Sequence, residues 1–170
     1  MLEMIIETEN LYLAKPDFKY LDDLHHIHSD PQAYLYSPKA PHNHIEQTKA
    51  MLNDWLTHWE NYGFGYFLML TKNHELVGVC GFRYKKIVNE NYLNLYYRIN
   101  PKFMRNGYTK EACVSVINYL EMNCINDHIK MVALTKKDNQ PSIKTALSLG
   151  FSYDSSFDNL EDEHNRYFFK

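Results

Sequence analysis

Tyr92 to Glu111, YLNLYYRINPKFMRNGYTKE, is the stretch that decides the fold. Tyr92–Ile99 reads as a buried strand, the residues around Pro101 as a short loop, and Gly107 as the first turn of a helix running to about Asn123. A strand that ends in a glycine turn and feeds a helix presents free backbone N–H groups. Such groups suit a phosphate or pyrophosphate. Beyond the helix, Ile129–Leu134 (IKMVAL) is short, apolar and rich in strand formers. Strand, long helix and strand together imply a right-handed crossover with the two strands parallel.

Working outward, Asn139–Leu149 reads as a helix stopped by Gly150 at its C-terminal cap. Phe151–Phe157 and Asn165–Phe169 read as a closing antiparallel pair across an acidic loop. On the other side, Tyr66–Leu70 and Glu75–Tyr84 form a hairpin around TKNH, and Lys85–Asn91 connects it to the central strand. Gly78 and Gly81 inside the second of these strands mark a bulge or a close backbone approach. Met4–Ala14 is a bent strand or two short ones. A helix capped by Asp17 runs to about Ser29 with Phe18, Leu21, Leu24 and Ile27 or His28 on one face. The Pro-rich segment Asp30–Pro41, with Tyr34 and Tyr36, is either a cleft wall that meets substrate or a plain connector. Ile45–Asn61 follows as an amphipathic helix. No repeat or linker interrupts the chain, so residues 1–170 are expected to form one domain.

Composition narrows the class. With 170 residues, 45% hydrophobic and 23% charged, the chain suits a single globular core. A net charge of −3 argues against a dedicated nucleic-acid binder. No apolar run approaches membrane-spanning length and no leader opens the chain, which points to the cytoplasm. Cys80, Cys113 and Cys124 lack paired spacing and read as reduced thiols. The histidines at 25, 26, 28, 42 and 44 read as solvated helix and loop residues, with no completed metal set among them.

Four short motifs, in order, resemble the GNAT N-acetyltransferase superfamily, and within it the ribosomal-protein N-terminal acetyltransferase (RimJ/RimL-like) branch. They are Thr8-Glu9-Asn10-Leu11-Tyr12-Leu13, Ser29-Asp30-Pro31, Gly107-Tyr108-Thr109-Lys110-Glu111-Ala112, and Asn139 with Ser142 ahead of Leu149-Gly150-Phe151. The resemblance implies an α+β, three-layer fold: a mixed, mostly antiparallel central sheet with one splayed parallel pair, flanked by helices. It implies acetyl-CoA as co-substrate, bound where strands 92–99 and 129–134 part, and no metal. The pantetheine arm would pair with Tyr97, Arg98 and Ile99. The pyrophosphate would rest on the loop Met104, Arg105, Asn106, Gly107, Tyr108, Thr109 and Lys110. Asn139 would cap its helix or bond the pantetheine. Ser142 takes the position of a general acid beside the sulfur, or else caps its own helix.

Three departures are visible. Met104 replaces the usual Gln or Arg, Thr109 replaces Gly or Ala, and Asn94 stands at the strand position that often carries a catalytic Glu. Ala146 stands where other branches carry a tyrosine, which argues against those branches. Without a carboxylate base, an α-amine of pKa about 8 is a far easier acceptor than a lysine of pKa about 10.4. The expected partner is therefore a protein N-terminus, with a small-molecule amine (aminoglycoside or polyamine) or a non-catalytic CoA-binding module as the alternatives. Relatives in this branch also form homodimers.

Overall fold

A single eight-stranded sheet, ordered β1-β2-β3-β4-β5-β6-β8-β7, organises the computed structural model, which describes all 170 residues. The strands are β1 (Met4–Glu7), β2 (Leu11–Ala14), β3 (Tyr66–Thr71), β4 (Leu76–Ile87), β5 (Glu90–Ile99), β6 (Met131–Lys136), β7 (Ser152–Tyr153) and β8 (Asn165–Phe169). Every pairing is antiparallel except β5 with β6. Four helices flank the sheet: α1 (Leu21–His28), α2 (Ile45–Tyr62), α3 (Tyr108–Met122) and α4 (Gln140–Ser148). The result is the three-layer, mostly antiparallel architecture expected of the chain.

Alternation along β5 divides the core. Leu93, Leu95, Tyr97 and Ile99 face the cluster built with Ala112, Cys113, Val116 and Leu120 of α3 and Ala146 of α4. Tyr96 faces the opposite cluster, with Leu24 and Ile27 of α1 and Leu52 and Trp55 of α2. A period of two therefore sends neighbouring residues of one strand into two different cores.

Several expected boundaries move. β4 runs on to Ile87 and β5 begins at Glu90, so Lys85–Asn91 is mostly strand rather than connector. The turn is the pair Val88–Asn89, with φ of +47° and +66°. Asn89 suits positive φ, but a β-branched Val88 beside it is what the turn rules exclude, so the local signal is only half present. Phe151–Phe157 is not a strand: only Ser152 and Tyr153 pair, and Ser155–Phe157 coil into a 3₁₀ turn capped by Asp154. The first helix likewise opens with a 3₁₀ turn over Phe18–Tyr20, capped by Asp17, before α1 begins.

Two contacts position the site. A Cβ on Gly78 would lie 2.3 Å from the Arg98 carbonyl oxygen, so glycine lets β4 press against the functional end of β5. At the N-terminus of α3, Glu111 accepts from Thr8 Oγ1 (2.6 Å), Asn10 N–H (3.1 Å) and Asn10 Nδ2 (2.7 Å). Burial would raise the Glu111 carboxyl, but those donors outweigh it and hold the group below the ordinary carboxylate range. The Thr8 and Gly107–Ala112 motifs therefore meet in space.

Candidate active site

The parallel pairing of β5 with β6 stops at Leu95–Ala133. Beyond that register the strands part, and a cleft of about 630 Å³ opens between Tyr96–Ile99 and Leu134–Lys136. Tyr97–Ile99 thus keep their pairing with β4 while their other edge faces the cleft. An open strand edge is a template for an extended, amide-bearing ligand.

The loop from Met104 to Lys110 closes one end of the cleft. None of the six backbone N–H groups from Arg105 to Lys110 donates to another protein atom. Arg105 and Gly107 both have positive φ, +68° and +76°. Positive φ at these two residues bends the loop into an amide-lined hollow at the positive end of the α3 dipole. A Cβ on Gly107 would meet no protein atom within 4 Å, so glycine is required for its φ rather than for room inside the protein. Asn106 Nδ2 donates to the Phe103 carbonyl at 2.9 Å and so braces the loop. The Met104 side chain is 40% exposed and adds no charge.

Where the strands part, the Tyr97 hydroxyl donates to Ser142 Oγ at 2.8 Å. Asn139, not Ser142, caps α4: its Oδ1 accepts the Ser142 N–H at 3.2 Å. The Ser142 hydroxyl itself donates to no protein atom, and Ser142 lines the cleft. Burial raises the Tyr97 phenol, with bonds to Ser142 and Thr145 opposing it, so Tyr97 stays protonated and remains a donor. Thr135 also lines the cleft, and its buried Oγ1 has no protein partner. A polar ligand would satisfy it.

On the α1/α2 side the cleft wall is Tyr96, Arg98 and, from the Pro-rich segment, Gln32, Ala33, Leu35, Tyr36 and Ser37. His28 is buried behind Tyr96. Its Nδ1 donates to the Leu24 carbonyl (2.8 Å), so Nε2 is the acceptor and the Tyr96 hydroxyl donates to it at 3.1 Å. Burial is the main force pushing His28 down to about 4, against its bond to Leu24. It is therefore neutral at pH 7, and Tyr96 turns only lone pairs outward. Trp55 packs edge-on against His28 and holds the ring in place.

Tyr97, Arg98, Ile99, the 104–110 loop, Asn139 and Ser142 all line one cleft. Arg98 contributes its backbone to the open edge, but its guanidinium turns to the other face, 3.9 Å from the Tyr34 ring. Tyr36 lines the mouth, whereas Tyr34 is buried under Arg98 and outside the lining. Asn94 also lies outside it, with its Oδ1 buried and unpartnered. His28 is not a solvated helix residue, although its place on the Leu24–Ile27 stripe was the available signal. His25 and His42 both place Nδ1 2.7 Å from Thr48 Oγ1. The sequence carries no signal for Tyr96 or Thr135, because tyrosine and threonine are ordinary strand residues.

A cleft of this form, between two splayed parallel strands beside a glycine-turned helix start, agrees with the family comparison. The family model for the acetyltransferase (GNAT) domain matches residues 10–152. The chain belongs to the GNAT acetyltransferase family. A search of the curated proteins finds no match. Among solved structures, a GnaT-family acetyltransferase from Bordetella pertussis superposes with a TM-score of 0.82 at 19% identity, over 98% of each chain. The RimL ribosomal L7/L12 alpha-N-protein acetyltransferase in complex with coenzyme A gives 0.77 at 19%, over 98% of this chain and 96% of that one. An acetyltransferase from Salmonella typhimurium that modifies the N-terminal serine of ribosomal protein L7/L12 gives 0.76 at 18%, again over 98% and 96%. At these identities the likeness is one of fold. No helix of this GNAT acetyltransferase is long and apolar enough to cross a membrane.

Proposed function

We propose that this acetyltransferase moves an acetyl group from acetyl-CoA to a primary amine, the α-amine of a protein N-terminus, by direct attack with both substrates bound. The observation that carries the reading is the continuity of one cleft, from the six free amides, along the open edge of β5, to the Tyr97–Ser142 hydroxyl pair. Acetyl-CoA supplies a thioester carbonyl open to attack. The amides of Arg105–Lys110 bind the pyrophosphate, with Arg105 and Lys110 adding charge and the Thr109 hydroxyl a further donor. Tyr97–Ile99 pair with the pantetheine amides as an added strand would. Asn139 keeps its Nδ2 free for the same arm while its Oδ1 caps α4.

Ser142 gives a hydrogen bond to the sulfur as negative charge develops there. Tyr97, donating to Ser142 Oγ, polarises that hydroxyl and strengthens the bond it gives. Tyr96, its own proton resting on His28, accepts an N–H of the amine and orients its lone pair. Asn94 supplies no base. Deprotonating an α-amine at pH 7 costs only about 1 kcal/mol, against roughly 4.6 kcal/mol for a lysine. No Asp or Glu lines the cleft, which disfavours polycationic acceptors such as polyamines and aminoglycosides. The Salmonella relative's N-terminal serine substrate belongs to the favoured class, and with that acceptor the enzyme works in the cytoplasm.

Thiol release from acetyl-CoA tests the reading with three acceptors: a peptide with a free N-terminus and blocked lysines, the same peptide with the blocks reversed, and spermidine. The first reacts fastest. Faster reaction of either other acceptor removes the α-amine assignment. Coenzyme A binding without acceptor-dependent thiol release would make the protein a binding module.

A further inference from the structure

Charge is distributed unequally along the cleft. Its lining contains four cations, Arg98, Arg105, Lys110 and Lys136, and no carboxylate. Lys136 is already matched, with Nζ 2.8 Å from Asp162 Oδ2 and 2.9 Å from Asn165 Oδ1. Arg105 and Lys110 stand at the amide loop, where the anionic end of acetyl-CoA lies in the reading above. Arg98 is left over. No acidic side chain pairs with it.

The surroundings of Arg98 are those of a guanidinium held ready for an anion. Its Nη1 donates to the Ala33 carbonyl at 2.6 Å, and its plane is supported by the rings of Tyr34 (3.9 Å) and Tyr96 (5.7 Å). Its Nε is buried and has no hydrogen-bond partner. Buried charges are ordinarily paired, because removal from water is costly and only a partner offsets it. The guanidinium lies on the Tyr96 face of β5, opposite the face that carries Tyr97 and Ser142. The pyrophosphate binds at the other end, so the acceptor is the substrate left to meet Arg98.

We propose that Arg98 is a specificity-determining residue that selects acidic acceptors, namely an α-amine followed within a few residues by a carboxylate. Tyr96 holds the amine while Arg98 takes that carboxylate through its unspent donors, a geometry that suits the planar guanidinium fork. An extended chain advances about 3.3–3.6 Å per residue, so the second or third residue of the acceptor falls within reach. The inference rests on the α-amine reading.

The test uses the full chain, acetyl-CoA and three synthetic peptides that share an N-terminal alanine and carry Glu, Gln or Lys at the next two positions. At low ionic strength kcat/KM falls in the order Glu, Gln, Lys, by at least tenfold between the extremes. The spread contracts in 0.5 M salt and in Arg98→Gln, while Arg98→Lys keeps the order. Far-ultraviolet circular dichroism and coenzyme A affinity establish that each variant is folded. Equal rates for the three peptides, a preference for Lys, or an order unchanged in Arg98→Gln overturns the role of Arg98. Thiol release with none of the three removes the α-amine reading beneath it as well. Acetylation of the Gln peptide alongside equal rates leaves that reading standing and rejects only the selection.

Discussion

The two ends of the cleft are made of different material. The loop end is built from backbone: six N–H groups, two residues at positive φ and a helix start. The other end, which we propose takes the acceptor, is built from side chains: Tyr96 on His28, Arg98 over Tyr34, and Tyr97 on Ser142. A backbone site tolerates changes of side chain as long as φ is preserved. A side-chain site depends on each hydroxyl and ring. This contrast explains how Met104 and Thr109 can depart from the family pattern while the cradle keeps its form.

The largest effect that would sharpen the contrast belongs to the side-chain end. Ser142→Ala is expected to lower kcat by about 10²-fold, within the range of a lost acid or hydrogen-bond donor, with little change in the KM for acetyl-CoA. Steady-state thiol-release kinetics read both constants. A drop confined to KM would break the assignment of Ser142 to the chemical step.

Next comes His28. Its folded-state pKa of about 4 lies below the unfolded value of 6.5, so the unfolded chain takes up a proton first as pH falls. The stability held by the neutral ring is complete above 6.5 and is lost progressively toward 4, a loss of about 3 kcal/mol. Urea midpoints at pH 7 and pH 4.5 should fall further apart in the wild type than in His28→Gln. Equal falls would show that the ring titrates normally.

At the backbone end, Gly107→Val forces a β-branched residue to φ of +76° and should weaken coenzyme A binding roughly tenfold, a cost of about 1–2 kcal/mol, as read by calorimetry. Smallest of all is Met104→Gln. A restored side-chain donor beside amides that already bind should tighten KM for acetyl-CoA less than about threefold. A larger gain would mean that side chains, not amides, dominate the cradle.

Much of the architecture was legible because it follows local rules. The Gly107 turn, the apolar Ile129–Leu134 run and the Leu149-Gly150-Phe151 helix stop each have a direct chemical signature, and together they marked the splayed pair. The Val88–Asn89 turn was illegible because Val88 defies the positive-φ preference that Asn89 obeys; the ten-residue β4–β5 ladder imposes it. The acceptor end was legible only in part. Ser142 and Tyr97 could be named, but their mutual bond joins residues 45 positions apart. His28 and Tyr96 are 68 apart, and only the fold shows that a histidine on an apolar stripe orients a strand tyrosine.

The clasp between Thr8, Asn10 and Glu111 bears on how the enzyme comes into being. It spans a sequence separation of 103 between Thr8 and Glu111. Contacts of such range form late and slowly, because loop closure must come before they contribute. On the ribosome, the β1–β2 turn emerges before α3 and must wait for its first turn. Until then the start of α3 lacks this anchor. The strand turn on the N-terminal side of the clasp thus becomes useful only once α3 exists, and acetyl-CoA binding should appear only after α3 has been made.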